Sequence, residues 1–79
     1  MERLPFRDGR FDAVMANGAV DLSPDKLRVF AEARRVLRRG GRLVISELDD
    51  YRAEIAASGF DIRFVRDNAR GTSLLAVKP

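Results

Sequence analysis

The sequence predicts a mixed α/β fold with the element order β-α-β-α-β-β and an antiparallel hairpin at its C-terminal end. Three observations carry this. Short apolar runs bounded by turn residues recur at Phe11–Ala16, Leu43–Ile45, Ile62–Val65 and Ser73–Val77. The first three are separated by stretches with helical spacing, which reads as two right-handed crossover units. The last two are joined only by Asp67–Gly71, a loop with a glycine free to take positive φ.

Each element has a local reason. Asp8-Gly9 is a turn signal, and the apolar run from Phe11 to Ala16 suits a parallel strand covered on both faces. Ser23-Pro24-Asp25 announces a helix: serine caps, proline fits the first turn, and aspartate meets the positive end of the dipole. The capping box is incomplete, since Lys26 stands where Glu or Gln would reach back. Leu27, Phe30, Ala33 or Arg34, and Leu37 recur at helical spacing with Val36 beside them, and Gly40-Gly41 is expected to end the helix, Gly40 in the left-handed conformation. Leu43-Val44-Ile45 forms the second strand. Asp49 or Asp50 is expected to cap a second helix with Tyr51, Ile55 and Ala56 on its buried side, stopped by Gly59.

The 79 residues make one small domain at most, and a chain of this size buries only about 60–65% of its unfolded surface. A hydrophobic fraction of 46% argues against wholesale disorder. The chain has no cysteine and no histidine, so thiol chemistry is excluded and no metal site is expected. No apolar run approaches the roughly 18 residues of a membrane span, and Met1–Phe6 lacks a signal-peptide core, so a cytoplasmic protein without a membrane partner is expected. The net charge is +3 and thirteen of the fifteen basic residues are arginine. Only Arg34, Arg35, Arg38, Arg39 and Arg42 cluster, at the end of the predicted helix, where cations suit the dipole. A solvated helix end is expected there, not a nucleic-acid surface.

Two segments carry a family resemblance. The run Leu4-Pro-Phe-Arg-Asp-Gly-Arg-Phe-Asp12 and the turn Arg34-Arg-Val-Leu-Arg-Arg-Gly-Gly-Arg-Leu-Val-Ile-Ser46 resemble the second half of class I S-adenosylmethionine-dependent methyltransferases. The stretch Asn17-Gly-Ala-Val-Asp-Leu-Ser-Pro-Asp-Lys26 is similar to that of the arsenite methyltransferase branch, with Gly18 in place of a cysteine and Asp21 in place of an asparagine. Because arsenite methylation in that branch depends on thiolates, the resemblance implies the broader class (methyltransferase type 11) and not arsenic as substrate. Arg39 stands where proline is usual, leaving the glycine pair intact.

The resemblance implies a truncated Rossmann-like methyltransferase sheet, one partial domain over residues 1–79 running from the family's fourth strand to its end. The last strand is then antiparallel between its neighbours. It implies S-adenosylmethionine as cofactor, with Asn17 and the backbone of Ala16 and Gly18 facing its methionine portion, and Leu4 and Phe6 near the adenine edge. Asn17 also has a plain reading as a turn residue holding its own backbone, and Leu4-Pro5-Phe6 as loop packing. Glu47, Asp49 and Asp50 are read as capping and solvating residues in preference to lining the acceptor side. No catalytic residue is identified.

The chain contains no Gly-x-Gly, so the main cofactor loop is expected upstream of Met1 and the chain alone is expected to bind cofactor weakly if at all. Three readings stay open: part of an active enzyme with a small-molecule acceptor, one half of a split methyltransferase completed by an N-terminal half, or a non-catalytic domain that dimerises through the apolar edge of Phe11–Ala16.

Overall fold

The computed structural model describes residues 5–79. Its elements are β1 (Phe11–Asn17), α1 (Lys26–Val36), β2 (Leu37–Glu47), α2 (Arg52–Ala57), β3 (Asp61–Asn68) and β4 (Gly71–Val77). The strands form a four-stranded sheet in the order β1-β2-β4-β3. β1 and β2 are parallel, and β4 runs antiparallel to both β2 and β3, between them. Element order and C-terminal hairpin are those the sequence predicts.

Strand alternation sorts the sheet into two faces. Val14, Leu43, Ala76 and Ile62 form one cross-strand row, and Ala16, Ile45, Leu74 and Val65 the next. These rows pack with Val29, Phe30 and Ala33 of α1 and Ile55 of α2 into the core. Phe30 and Tyr51 meet with ring centroids 5.8 Å apart, which ties the two helices together on this face.

The opposite face carries Met15, Val44, Leu75 and Phe64 in one row and Asn17, Ser46, Ser73 and Arg66 in the next. Met15 is 76% exposed and Phe64 59%. The expectation that β1 is covered on both faces is therefore corrected. Both crossovers move across the sheet in the same direction, so their right-handedness puts both helices on the same side.

Helix α1 also differs from expectation at both ends. Its N-cap is Asp25, not Ser23: the Asp25 carboxylate accepts from the Arg28 N–H at 3.1 Å, and a charged cap also complements the dipole. The helix stops at Val36, before Gly40-Gly41, because Leu37 is already extended and pairs with Phe11. Only Arg34 and Arg35 of the arginine cluster lie in its last turn. Arg38 belongs to β2 and pairs with Asp12 at 2.5 Å, while Arg35 bridges Glu32 and Asp8.

The pairing register jumps from Phe11↔Leu37 to Ala13↔Arg42, so residues 38–41 loop out as a bulge. Gly40 takes φ +79 there, and its N–H donates to the Lys78 carbonyl at 2.7 Å. Gly41 is required by space: a Cβ would stand 2.7 Å from the Arg38 carbonyl oxygen and 3.2 Å from that of Asp12.

Two side-chain assignments are corrected as well. Leu27 is 53% exposed, and Ala56 faces solvent while Tyr51 and Ile55 are buried. The hairpin strands run further than the apolar runs, leaving Ala69-Arg70 as the turn, with the Asn68 carboxamide accepting from the Arg70 N–H at 2.8 Å. Among the described residues no helix is long and apolar enough to cross a membrane.

Candidate functional site

β1 and β2 run parallel, so their carboxyl ends open side by side, the place where open α/β sheets hold ligands. Asn17 is the exposed last residue of β1, and Ala16 before it is buried in the core. Gly18 follows with φ +78, and a Cβ there would meet nothing within 4 Å. Asn17, Gly18, Ser46, Glu47, Leu48 and Arg70 line a cavity of about 350 Å³. Ser46, Glu47 and Arg70 also line a second cavity of about 400 Å³ that extends over the β3–β4 turn to Thr72 and Ser73.

Of the two residues expected near the adenine edge, only Phe6 is described. Leu4 lies outside the described residues. Phe6 is 43% exposed and meets Phe11 edge to face, centroids 4.7 Å apart, at the amino end of β1. Six strand steps from Phe11 to Asn17 amount to roughly 20 Å. Phe6 instead borders a separate cavity with Pro5, Arg7 and Arg10.

The residue that organises the site is Glu47. It is only 5% exposed, and its carboxylate accepts from the N–H groups of Gly18 and, at 2.8 Å, Asp21. The Gly18 N–H also reaches the Ser46 carbonyl at 3.0 Å. One buried carboxylate at the end of β2 thus fixes the loop that follows β1. Reading Glu47 as a solvating residue is corrected. Its parity gave the signal: Leu43, Ile45 and Glu47 occupy the same face of β2, the covered one. The expected cap of α2 at Asp49 or Asp50 is corrected: Tyr51 holds the N-cap position without a side-chain capping bond, and Asp50 before it is solvated, accepting from the Arg52 N–H at 3.0 Å and pairing with its guanidinium.

Asp21 extends the network. It accepts from the Leu48 N–H at 2.8 Å and from the Tyr51 hydroxyl. Lys26 Nζ donates to the carbonyls of Asp21 (3.1 Å) and Ser23. The Tyr51 hydroxyl holds the Asp21 carboxyl below its ordinary value, and burial, then Asp21, push the Tyr51 phenol up. Asp21 therefore stabilises the fold fully above its ordinary pKa of 3.8, and that contribution is lost as pH falls through its lower folded value. Tyr51 contributes fully below its ordinary 10.0 and loses that contribution as pH rises towards its higher folded value. Urea unfolding across a pH series is expected to show a plateau bounded by these limits. Tyr51→Phe should flatten the alkaline fall and shrink the acid one; unchanged limbs would show that the pair does not govern them.

Chemically the site can hold and orient, with little acid–base capacity. The Glu47 carboxylate is occupied by backbone amides, and among the described residues no group of His, Cys, Asp or Glu is placed to bind a metal.

The fold is that of Rossmann-like S-adenosylmethionine-dependent methyltransferase structures. A family model described as "Methyltransferase domain" matches residues 1–45, and the chain belongs to that family. The arsenite methyltransferase of Halobacterium salinarum is 47% identical over 45 residues, which is 57% of this chain and 12% of that protein. The crystal structure of the [4+2]-cyclase SpnF superposes with a TM-score of 0.89 at 18% identity, over 99% of this chain and 54% of the cyclase. The Burkholderia thailandensis 1,6-didemethyltoxoflavin-N1-methyltransferase, solved with 1,6-didemethyltoxoflavin and S-adenosylhomocysteine, gives 0.78 at 19% identity, over 90% of this chain and 45% of that one. The chain spans 12–24% of the length of the curated relatives it matches.

Proposed function

We propose that residues 1–79 form one partial methyltransferase domain, corresponding to the family fold from its fourth strand onward, which contributes half of a site for S-adenosylmethionine and a small-molecule acceptor. The observation that carries this reading is the pairing of Asn17 and Gly18 at the carboxyl end of β1 with Ser46 and Glu47 at the end of β2.

The residues present fit one end of the cofactor. Open space beside Gly18 and the Asn17 carboxamide suit the polar amino-acid portion of S-adenosylmethionine. Bound there, the cofactor supplies an activated methyl group. Asn17 and the backbone of Ala16 and Gly18 position it, and the Glu47 carboxylate keeps that backbone in place. Positioning of this kind is the main requirement of methyl transfer to a nucleophile. With Phe6 at the far end of β1, no apolar slot for the adenine adjoins this cavity among the described residues.

Calorimetric titration tests the reading. S-Adenosylmethionine is expected to bind the 79-residue chain no tighter than the millimolar range, and tighter by at least about tenfold once a polypeptide supplying the preceding strands of the fold is added. Asn17→Ala should remove most of that gain. Failure of the completed complex to bind would overturn the proposal, and tight binding by the chain alone would overturn its incompleteness.

One observation favours a second reading. Among the described residues β1 is the edge of the sheet, with no strand on its outer side and Met15 exposed, an arrangement open to pairing with another chain. A dimer whose melting temperature ignores S-adenosylmethionine would decide for a non-catalytic interaction domain. The SpnF likeness makes the same point, since one fold serves different chemistries.

A further inference from the structure

The uncovered face of the sheet ends, on its carboxyl side, in a row made only of hydrogen-bond donors and amphoteric groups: Asn17, Ser46, Ser73 and Arg66 are direct cross-strand neighbours. Arg70 in the β3–β4 turn overhangs both cavities of the site. Asp61, the acid of these strands that shares the face, lies at the opposite end of β3 and pairs with Arg63 at 2.9 Å, whereas the acids next to the row fall on the other face. Glu47, Thr72 and Asp67 form the adjacent row, and each carboxylate there is already engaged. Glu47 takes the Gly18 and Asp21 amides, while Asp67 takes the Thr72 hydroxyl at 2.9 Å and the Arg52 guanidinium at 3.3 Å. Arg66 and Arg70 are both exposed, and among the described residues neither guanidinium has a hydrogen-bond or ion-pair partner. The two-residue period of the strands has thus separated satisfied acids from unsatisfied donors.

We propose that Ser46, Ser73, Arg66 and Arg70 form an oxyanion site that selects acceptors carrying a carboxylate or a phosphate group. Guanidinium groups hold such oxyanions through paired, charge-assisted hydrogen bonds, and the two serine hydroxyls add neutral donors between them. Asn17 and Arg66 stand at opposite ends of the row, about 14 Å apart over three inter-strand spacings. The cofactor end and the acceptor's anionic end are therefore separate stations on one row. This inference rests on the methyltransferase reading only for the word acceptor; the oxyanion site stands on the row itself.

The test is nitrogen–proton NMR of the 79-residue chain titrated with acetate, with inorganic phosphate, and with sodium chloride at matched ionic strength. Saturable shifts are expected at the Ser46 and Ser73 amides and at the Arg66 and Arg70 side chains with at least one oxyanion, and not with chloride. Arg66→Gln with Arg70→Gln should weaken binding by about tenfold or more. Both side chains are exposed, so an otherwise unchanged amide spectrum verifies folding, and Arg70→Gln alone serves as a milder variant. Tighter acetate binding assigns a carboxylate, and tighter phosphate binding assigns a phosphate. Equal shifts with chloride, or unchanged affinity in the double variant, would overturn the site. Displacement of the oxyanion by S-adenosylmethionine would overturn its assignment to the acceptor, because the row would then hold the cofactor's own carboxylate. Absence of S-adenosylmethionine binding in the completed complex counts against the methyltransferase reading and leaves the oxyanion result intact.

Discussion

Replacing Glu47 by alanine is expected to destabilise the chain by about 2–4 kcal/mol and to release the loop after β1. The side chain is buried, and its loss leaves the Asp21 N–H without an acceptor and the Gly18 N–H with only the Ser46 carbonyl. An orphaned buried donor costs roughly 1–3 kcal/mol, and hydrogen bonds to a charged acceptor lie at the upper part of the range. Glu47→Gln keeps one acceptor oxygen and the volume, so its loss should be about half as large. Hydrogen exchange gives the sharper measurement: the Gly18 and Asp21 amides should lose protection in Glu47→Ala while β4 amides keep theirs. Uniform loss across the sheet, or a change below about 0.5 kcal/mol, would refute the assignment of Glu47 as the post holding this loop.

Phe30→Ala is expected to have the largest effect on stability. Phe30 is fully buried, packs on Tyr51 and joins α1 to the sheet rows beneath it. Truncating a buried phenylalanine costs about 3–5 kcal/mol. A domain of this size has only about 4–12 kcal/mol in total, at roughly 0.05–0.15 kcal/mol per residue. The thermal midpoint should fall by about 15 °C or more, or the cooperative transition should disappear. Phe30→Leu should retain the transition with a smaller fall. A Phe30→Ala variant that melts within a few degrees of the parent would mean that the two helices are not held through this ring.

The fold was legible where local chemistry and global pairing agree. Turn residues mark off β1, α1 and the hairpin, and the Asp67–Gly71 loop makes β4 antiparallel. Element ends were misread where tertiary pairing overrode local signals. Gly40-Gly41 looks like a helix stop, yet parallel pairing of Leu37 with Phe11 ends the helix earlier and turns the glycines into a bulge. Val44 and Leu75 look the same in sequence whether or not a layer covers them, so the uncovered face was illegible. The placement of Asn17 and Gly18 at the carboxyl end of β1 was legible from the apolar run that precedes them. Tyr51 with Asp21 was not, because thirty residues separate them and only the fold brings them together. Glu47 was legible in principle, since continuing the alternation of Leu43 and Ile45 by one more step buries it.

The position of β4 sets the order in which the molecule can be assembled during synthesis. β4 is made after β3 but lies between β2 and β3. Until its residues leave the ribosome, β3 has no neighbour, and only the β1–α1–β2 crossover can form. The β2 edge of that crossover, with Leu43 and Val44 on it, stays open to whatever strand arrives first until β4 is made. The late strand then makes both remaining ladders in one event, six cross-strand partners to β2 and seven to β3. Such non-local pairing is slow and vulnerable to strands from other chains. Yield on expression should therefore depend more on how soon β4 is available than on the stability of the finished sheet.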